Sequence, residues 1–184
     1  MLHDKLWLMI RKNTPIIRQA TTVDAGLLTE LGSKTFYDTF IEANDPKDIE
    51  SYLSEAFSLD KQLEEICDPL TTVLIAEVET RAVGYAKLQA GVAPDTVSGT
   101  KPIEISRIYV LKEYLGQGIG QSLMQSCIDR GKSQGYETIW LGVWEQNRRA
   151  IAFYQRWGFR VVGEHIFQLG SDPQMDLLME RTRL

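Results

Sequence analysis

Apolar positions along the chain change period several times, and each change marks an element. After Pro15, residues 16–20 form a short apolar run that predicts a strand. Thr22 or Asp24 then caps a helix whose inward face carries Leu27, Leu28, Leu31, Phe36 and Phe40. A second helix opens at "NDPKDIE", with Asp45 as cap and Pro46 in its first position. Its stripe is Ile49, Tyr52, Leu53, Ala56 and Phe57. A third, capped by Ser58 or Asp60, turns Leu63 and Ile66 inward. From residue 71 the pattern becomes β-rich: "TTVLIAEVE" and "AVGYAKLQAGV" flank a charged turn at Thr80 and Arg81, which predicts a hairpin.

"PDTVSGTKP" is a loop, "IEISRIYVL" a strand, and "GIGQSLMQSCIDRGKSQG" a helix burying Ile119, Leu123, Cys127 and Ile128. "YETIWLGVW" is a further strand, followed by a short helix from Arg148 to Trp157 that stops at Gly158. Two strands, "FRVVGEHIFQLG" and "QMDLLMER", close the chain. The order β-ααα-ββ-β-α-β-α-ββ predicts one mixed α/β domain over residues 15–184, behind an N-terminal extension of residues 1–14. No repeat or low-complexity linker divides it.

Charge and cysteine usage narrow the function classes. A net charge of −5 argues against an extended nucleic-acid surface and permits a cationic substrate. Only 2 cysteines and 2 histidines occur, with no CxxC, so no metal site is expected and a reducing compartment fits. The apolar run from Leu6 to Ile10 is too short for a signal-peptide core or a membrane span. A cytoplasmic protein with no membrane partner is expected; a homodimer is left open.

The chemistry begins at "YLGQGIGQSL", where Gly116, Gly118 and Gly120 alternate as a helix starts. Helix-opening N–H groups lack intrahelical partners and face the positive end of the helix dipole. A glycine-rich turn there can cradle a phosphate. A sharp strand-to-helix turn with nothing bound is the plainer reading of a lone glycine turn. GxGxG is not the GxGxxG of a dinucleotide fold, and no Gly-Lys-Ser/Thr follows as a Walker A loop requires.

A second segment, "NRRAIAFYQRWGF" from Asn147, changes the balance. Together with "ISRIYVLKEYLGQGIG" it resembles the GCN5-related N-acetyltransferase (GNAT) superfamily. Asn147, Ala150, Phe153, Tyr154, Gly158 and Phe159 match its second motif, and Gly118 and Gly120 its first; Leu115 stands where Gln or Arg is usual. "TFYDTF", "YLSEAF", "IWLGVWEQN", "GEHIF" and "QMDLLM" are further similar to Pai-type bacterial spermidine/spermine acetyltransferases.

The resemblance implies the acyl-CoA N-acyltransferase fold, a mostly antiparallel sheet in which two parallel strands splay to bind CoA. Acetyl-CoA is the implied cosubstrate, with no metal, and a small-molecule amine the acceptor, a polyamine being favoured. A protein N-terminus, amino acid or antibiotic amine is the alternative acceptor; a CoA-binding regulator without turnover is the alternative class. It implies that the backbone of Ile108, Tyr109 and Val110 pairs with the pantetheine arm. Leu115, Gly116, Gln117, Gly118, Ile119, Gly120 and Gln121 would surround the pyrophosphate. Asn147, Ala150, Phe153 and Arg156 would complete the CoA site, with Tyr154 as partner of the departing thiolate.

An amine resembling lysine, with pKa ~10.4, must lose a proton before it attacks. Strict alternation puts Glu104, Ser106, Ile108 and Val110 on one strand face, and the resemblance implies Glu104 as the first candidate base, since some family members carry a water-linked base on this strand. An exposed strand carboxylate is the plain alternative, and Glu145 the second candidate. Tyr37, Asp38, Trp144 and Glu145 mix acid and aromatic faces suited to an ammonium. His165 could assist proton removal, although a lone histidine is more often structural.

Overall fold

Among the described residues, alternating apolar positions build seven strands, in the sheet order β1-β2-β3-β4-β5-β7-β6. The computed structural model describes residues 14–184, so the extension expected over residues 1–14 lies, Thr14 aside, outside the described residues. In chain order the strands are β1 (Ile16–Gln19), β2 (Thr71–Val78), β3 (Arg81–Ala90), β4 (Pro102–Val110), β5 (Thr138–Trp144), β6 (Arg160–Leu169) and β7 (Asp172–Thr182). The helices are α1 (Ala25–Phe40), α2 (Pro46–Ala56), α3 (Leu59–Cys67), α4 (Ile119–Ser133) and α5 (Arg148–Arg156). Element types and order match the hydrophobic pattern.

Local chemistry explains the helix starts. Asp45 accepts a hydrogen bond from the Lys47 N–H at 2.8 Å, with Pro46 behind it, and Ser58 accepts from the Lys61 N–H at 3.2 Å. The first helix differs from expectation. A 3-10 turn at Thr22–Asp24 precedes α1, and the Asp24 carboxylate bonds back to the Thr21 N–H rather than forward into the helix. The Arg18 guanidinium grips the same carboxylate at 2.7 and 2.9 Å and holds its pKa down to about 2.

The sheet separates two apolar layers. Ile119, Leu123, Met124, Cys127 and Ile128 of α4, with Tyr154 of α5, pack on one face. Leu28, Leu31 and Phe36 of α1, Ile49 of α2 and Phe57 pack on the other. Burial pushes the Cys127 thiol up to about 12, so it stays protonated and is no nucleophile.

Two irregularities in β4 create the site. The strand pairs with β5, in parallel, only at Pro102–Glu104 against Thr138–Trp140. Every other neighbouring pair in the sheet is antiparallel. Beyond Glu104 the two strands part. β4 also carries an extra residue: Lys87 of β3 pairs with Arg107, but the next residue, Leu88, pairs with Ile105. Ser106 is therefore a bulge and reverses the alternation. Ile103 and Ile105 face α4, as Ile108 and Val110 do, while Tyr109 packs on the α1 side. The expectation that Glu104 shares a face with Ile108 and Val110 is thus corrected: Glu104 looks toward the opposite layer.

Candidate active site

Where β4 and β5 separate, a cleft of about 380 Å³ opens through the sheet. Beyond Glu104 the β4 edge facing it has no strand partner among the described residues, because β3 occupies the other edge. Backbone groups of Ile108, Tyr109 and Val110 line this gap. An extended chain of polar groups can add there as a further strand would.

One end of the cleft is the glycine turn. Gly116 and Gly118 have φ of +82° and +88°, a region that side-chain-bearing residues rarely enter. A Cβ at either would meet nothing within 4 Å, so packing does not require glycine there; backbone conformation does. Among the described residues no side chain caps α4 at Gly118, leaving its opening N–H groups aimed outward. Leu115, Gly116, Gly120 and Gln121 line the cleft, whereas Gln117, Gly118 and Ile119 do not. The Gln117 amide donates to the Glu113 carbonyl at 2.8 Å, and the Ile119 side chain is core. Arg156, and Arg149, which sequence reasoning did not single out, add cationic side chains from α5.

The middle of the cleft is formed by α5. Ala150, Phe153 and Tyr154 line it, and Asn147 accepts from the Ala150 N–H at 3.1 Å, so its oxygen caps the helix. Tyr154 is buried, which raises its phenol pKa and keeps the hydroxyl protonated, able to donate a proton or a hydrogen bond.

The opposite end is aromatic. Trp144 meets Phe40 edge-on with centroids 6.0 Å apart, and Tyr52 stacks on Phe36 at 4.6 Å and meets Phe167 at 5.4 Å. Arg107 also lines the cleft, its guanidinium over the Phe57 ring. Glu65 accepts from the Arg107 guanidinium and from Lys87 Nζ, each at 2.7 Å, so its single negative charge is shared between two cations.

Asp176 is the only carboxylate that lines the cleft among the described residues. It pairs across β7 with Trp144 on one side and His165 on the other, and burial pushes its pKa up to about 6.

The acceptor-side expectations fare unevenly. Of Tyr37, Asp38, Trp144 and Glu145, only Trp144 lines the cleft. Asp38 is paired to Lys34 at 2.8 Å on the surface of α1, because its helix position turns outward, as does exposed Tyr37. Glu145 follows the end of β5, where its N–H bonds the Met175 carbonyl and its side chain is exposed. Glu104 stands outside the cleft lining, at the base of the splay; burial raises its pKa and Lys87 opposes that rise. Asp176 itself went unremarked in the sequence. The available signal was an acid interrupting the apolar run "QMDLLM".

A mixed sheet with one parted parallel pair, a glycine turn and an α5 tyrosine defines an acyl-transfer class of site. The Acetyltransferase (GNAT) family model matches residues 35–159, and the chain belongs to that family. It is similar to an uncharacterized N-acetyltransferase of Lactobacillus delbrueckii subsp. lactis, 32% identical over 90% of this chain and 95% of that protein. An uncharacterized N-acetyltransferase of Mycobacterium tuberculosis is 32% identical over 86% of this chain and 97% of its own. Among solved structures, PaiA N-acetyltransferase from Thermoplasma acidophilum, in complex with coenzyme A, superposes with a TM-score of 0.75 at 24% identity. That match covers 92% of this chain and 99% of PaiA. The ribosomal-protein-S18-alanine N-acetyltransferase of Escherichia coli gives 0.67 at 17%, covering 92% and 94%. The protein is an N-acetyltransferase.

Proposed function

We propose that the protein transfers acetyl from acetyl-CoA to a primary amine, with a polyamine as the preferred acceptor. One observation carries this reading: the cleft is cationic and glycine-lined at one end, and at the other is aromatic and holds Arg107 and Asp176, the one lining carboxylate among the described residues. The first end fits acetyl-CoA. The empty space over Gly116 and Gly118 suits phosphate oxygens approaching backbone N–H groups, with Arg149 and Arg156 alongside. The coenzyme A bound to PaiA supports the same donor.

Acetyl-CoA supplies an activated thioester. The chain's residues hold and polarise it: the unpaired β4 edge receives the pantetheine, and a Val110 N–H polarises the carbonyl. Tyr154 donates to the sulfur as it leaves. The amine attacks directly while both substrates are bound.

The second end fits a cation. Phe40, Tyr52, Trp144 and Phe167 offer ring faces to ammonium groups, and Asp176 offers the charge. A polyamine presents one nitrogen to the thioester and leaves others needing such partners. The resemblance of "TFYDTF", "YLSEAF" and "GEHIF" to Pai-type spermidine/spermine acetyltransferases favours this acceptor class. The test is thiol release from acetyl-CoA against an amine panel. Spermidine should exceed a short monoamine in kcat/KM, and its advantage should shrink with salt as outer charges are screened. Equal values with no salt dependence would overturn the polyamine preference, and no turnover of any amine would overturn the catalytic reading.

A further inference from the structure

Asp176 and His165 occupy an opening made by a missing side chain. Gly142 lies on β5 two residues before Trp144, on the same face. A Cβ there would stand 3.1 Å from His165 Nε2 and 3.3 Å from Asp176 Oδ2. Both contacts are tighter than ordinary packing. Glycine at 142 thus lets two side chains from β6 and β7 reach over β5. The carboxylate is 14% exposed and borders the cleft; the imidazole is 44% exposed and reaches solvent, with Nε2 3.8 Å from Oδ2.

We propose that Asp176 takes the proton the acceptor ammonium must lose, and that His165 passes it to bulk water. This rests on the amine-acetylating reading above. The ammonium docks at the only carboxylate the cleft presents among the described residues. One N–H proton moves to Asp176, freeing the nitrogen lone pair. The nitrogen forms the new C–N bond as the C–S bond breaks, and a second N–H proton ends on the departing sulfur by way of Tyr154. Asp176 then releases its proton to His165 across the 3.8 Å gap by way of one intervening water, and the carboxylate is restored. Ammonium and thioester become amide, thiol and one proton in solution.

The surroundings suit this role. Burial holds the carboxylate pKa at about 6, so it is ionised at neutral pH yet more basic than a surface aspartate. Transfer from an amine of pKa ~10.4 is unfavourable by on the order of 10⁴-fold in water, and desolvating the ammonium in an aromatic cleft narrows that gap. Across β5 stand Gly142 and Trp144, neither titratable, and from β6 comes His165. From α2 comes the Tyr52 phenol, whose pKa is raised chiefly by burial and also by the charge of Asp176. Arg149 lines the cleft from α5 and Arg107 from β4, the latter facing the Tyr52 phenol and sharing the single Glu65 carboxylate with Lys87.

Asp176→Asn and His165→Gln test the assignment with the best acceptor from the panel. Asp176→Asn should lower kcat by roughly 10²- to 10⁴-fold and abolish the acid limb of kcat/KM near pH 6. Coenzyme A affinity should stay within about two-fold. His165→Gln should lower kcat less, because water can replace the outlet. A rise in amine KM alone, with kcat and the acid limb intact, would make Asp176 a binding group and overturn the proposal.

A second measurement needs no substrate. A buried carboxylate kept ionised for catalysis destabilises the fold above its own pKa. Asp176→Asn should therefore melt higher than the wild type at pH 8, with the gap closing near pH 4 where the carboxyl is protonated. A lower melting point at pH 8 would show a structural ion-pair partner instead, and would overturn the proposal even if no amine is turned over.

Discussion

Gly120→Ala should raise stability and weaken donor binding at once. Gly120 lies in the first turn of α4 with ordinary backbone angles, unlike Gly116 and Gly118. Alanine there meets only the Phe153 ring, at 3.8 Å, so the methyl fits without strain. Replacing helical glycine by alanine contributes about 0.5–1 kcal/mol. For a chain of 184 residues that is a rise of roughly 1–4 °C in Tm. The same methyl stands in the cleft lining, where the phosphates approach the α4 N–H groups. Losing one hydrogen bond to a charged oxygen costs about 1.5–3 kcal/mol, a roughly 10- to 150-fold weaker Kd for coenzyme A. Gly118→Ala is the control: at φ +88° it should lower Tm, since a left-handed alanine costs about 1–2 kcal/mol. Thermal melting and calorimetric titration with coenzyme A read both quantities. A Gly120→Ala protein with raised Tm and affinity within two-fold of wild type would refute the placement of the phosphates.

Tyr154→Phe keeps the ring and removes the donor; kcat should fall by roughly 10²-fold or more, with coenzyme A affinity within about two-fold, since the hydroxyl acts as charge develops on sulfur. Unchanged kcat with the chemical step limiting would reduce Tyr154 to packing. Glu65→Ala strands Lys87 and Arg107 without their shared buried partner and should cost about 3–5 kcal/mol, read as a large fall in the urea midpoint. Asp24, with its pKa lowered from 3.8 to about 2 by Arg18, binds fewer protons folded than unfolded, so its contribution is present above pH 4 and lost as pH falls through about 2. Asp24→Asn should flatten the stability profile across that window in urea titrations between pH 2 and 5.

Secondary structure was legible because each element declares itself within a few residues. Pro46 behind Asp45 starts a helix, Ser58 caps the next, and the switch to β-rich runs at residue 71 needs no knowledge of distant partners. The family was legible for a related reason. Gly118 precedes a helix and Gly120 lies in its first turn, Tyr154 lies on the inner face of another, and each segment is contiguous in sequence. The glycine angles and the α5 packing follow from those local patterns.

The acceptor end was decided by pairings between strands far apart in the chain. Alternation along β4 taken alone turns Glu104 toward Ile108 and Val110; one extra residue at Ser106, visible only in the register with β3, turns it away. Asp38 sits among Phe36, Tyr37 and Phe40 in sequence, whereas Asp176 has only aliphatic neighbours and Met175 beside it. Only the tertiary structure shows that the first meets Lys34 on the surface of α1 while the second reaches over Gly142 into the cleft. A missing Cβ on β5, a carboxylate on β7 and an imidazole on β6 have no common sequence signal. Their proximity comes from strand order, in which β7 inserts between β5 and β6, and burial of that arrangement then sets the charge chemistry of Asp176.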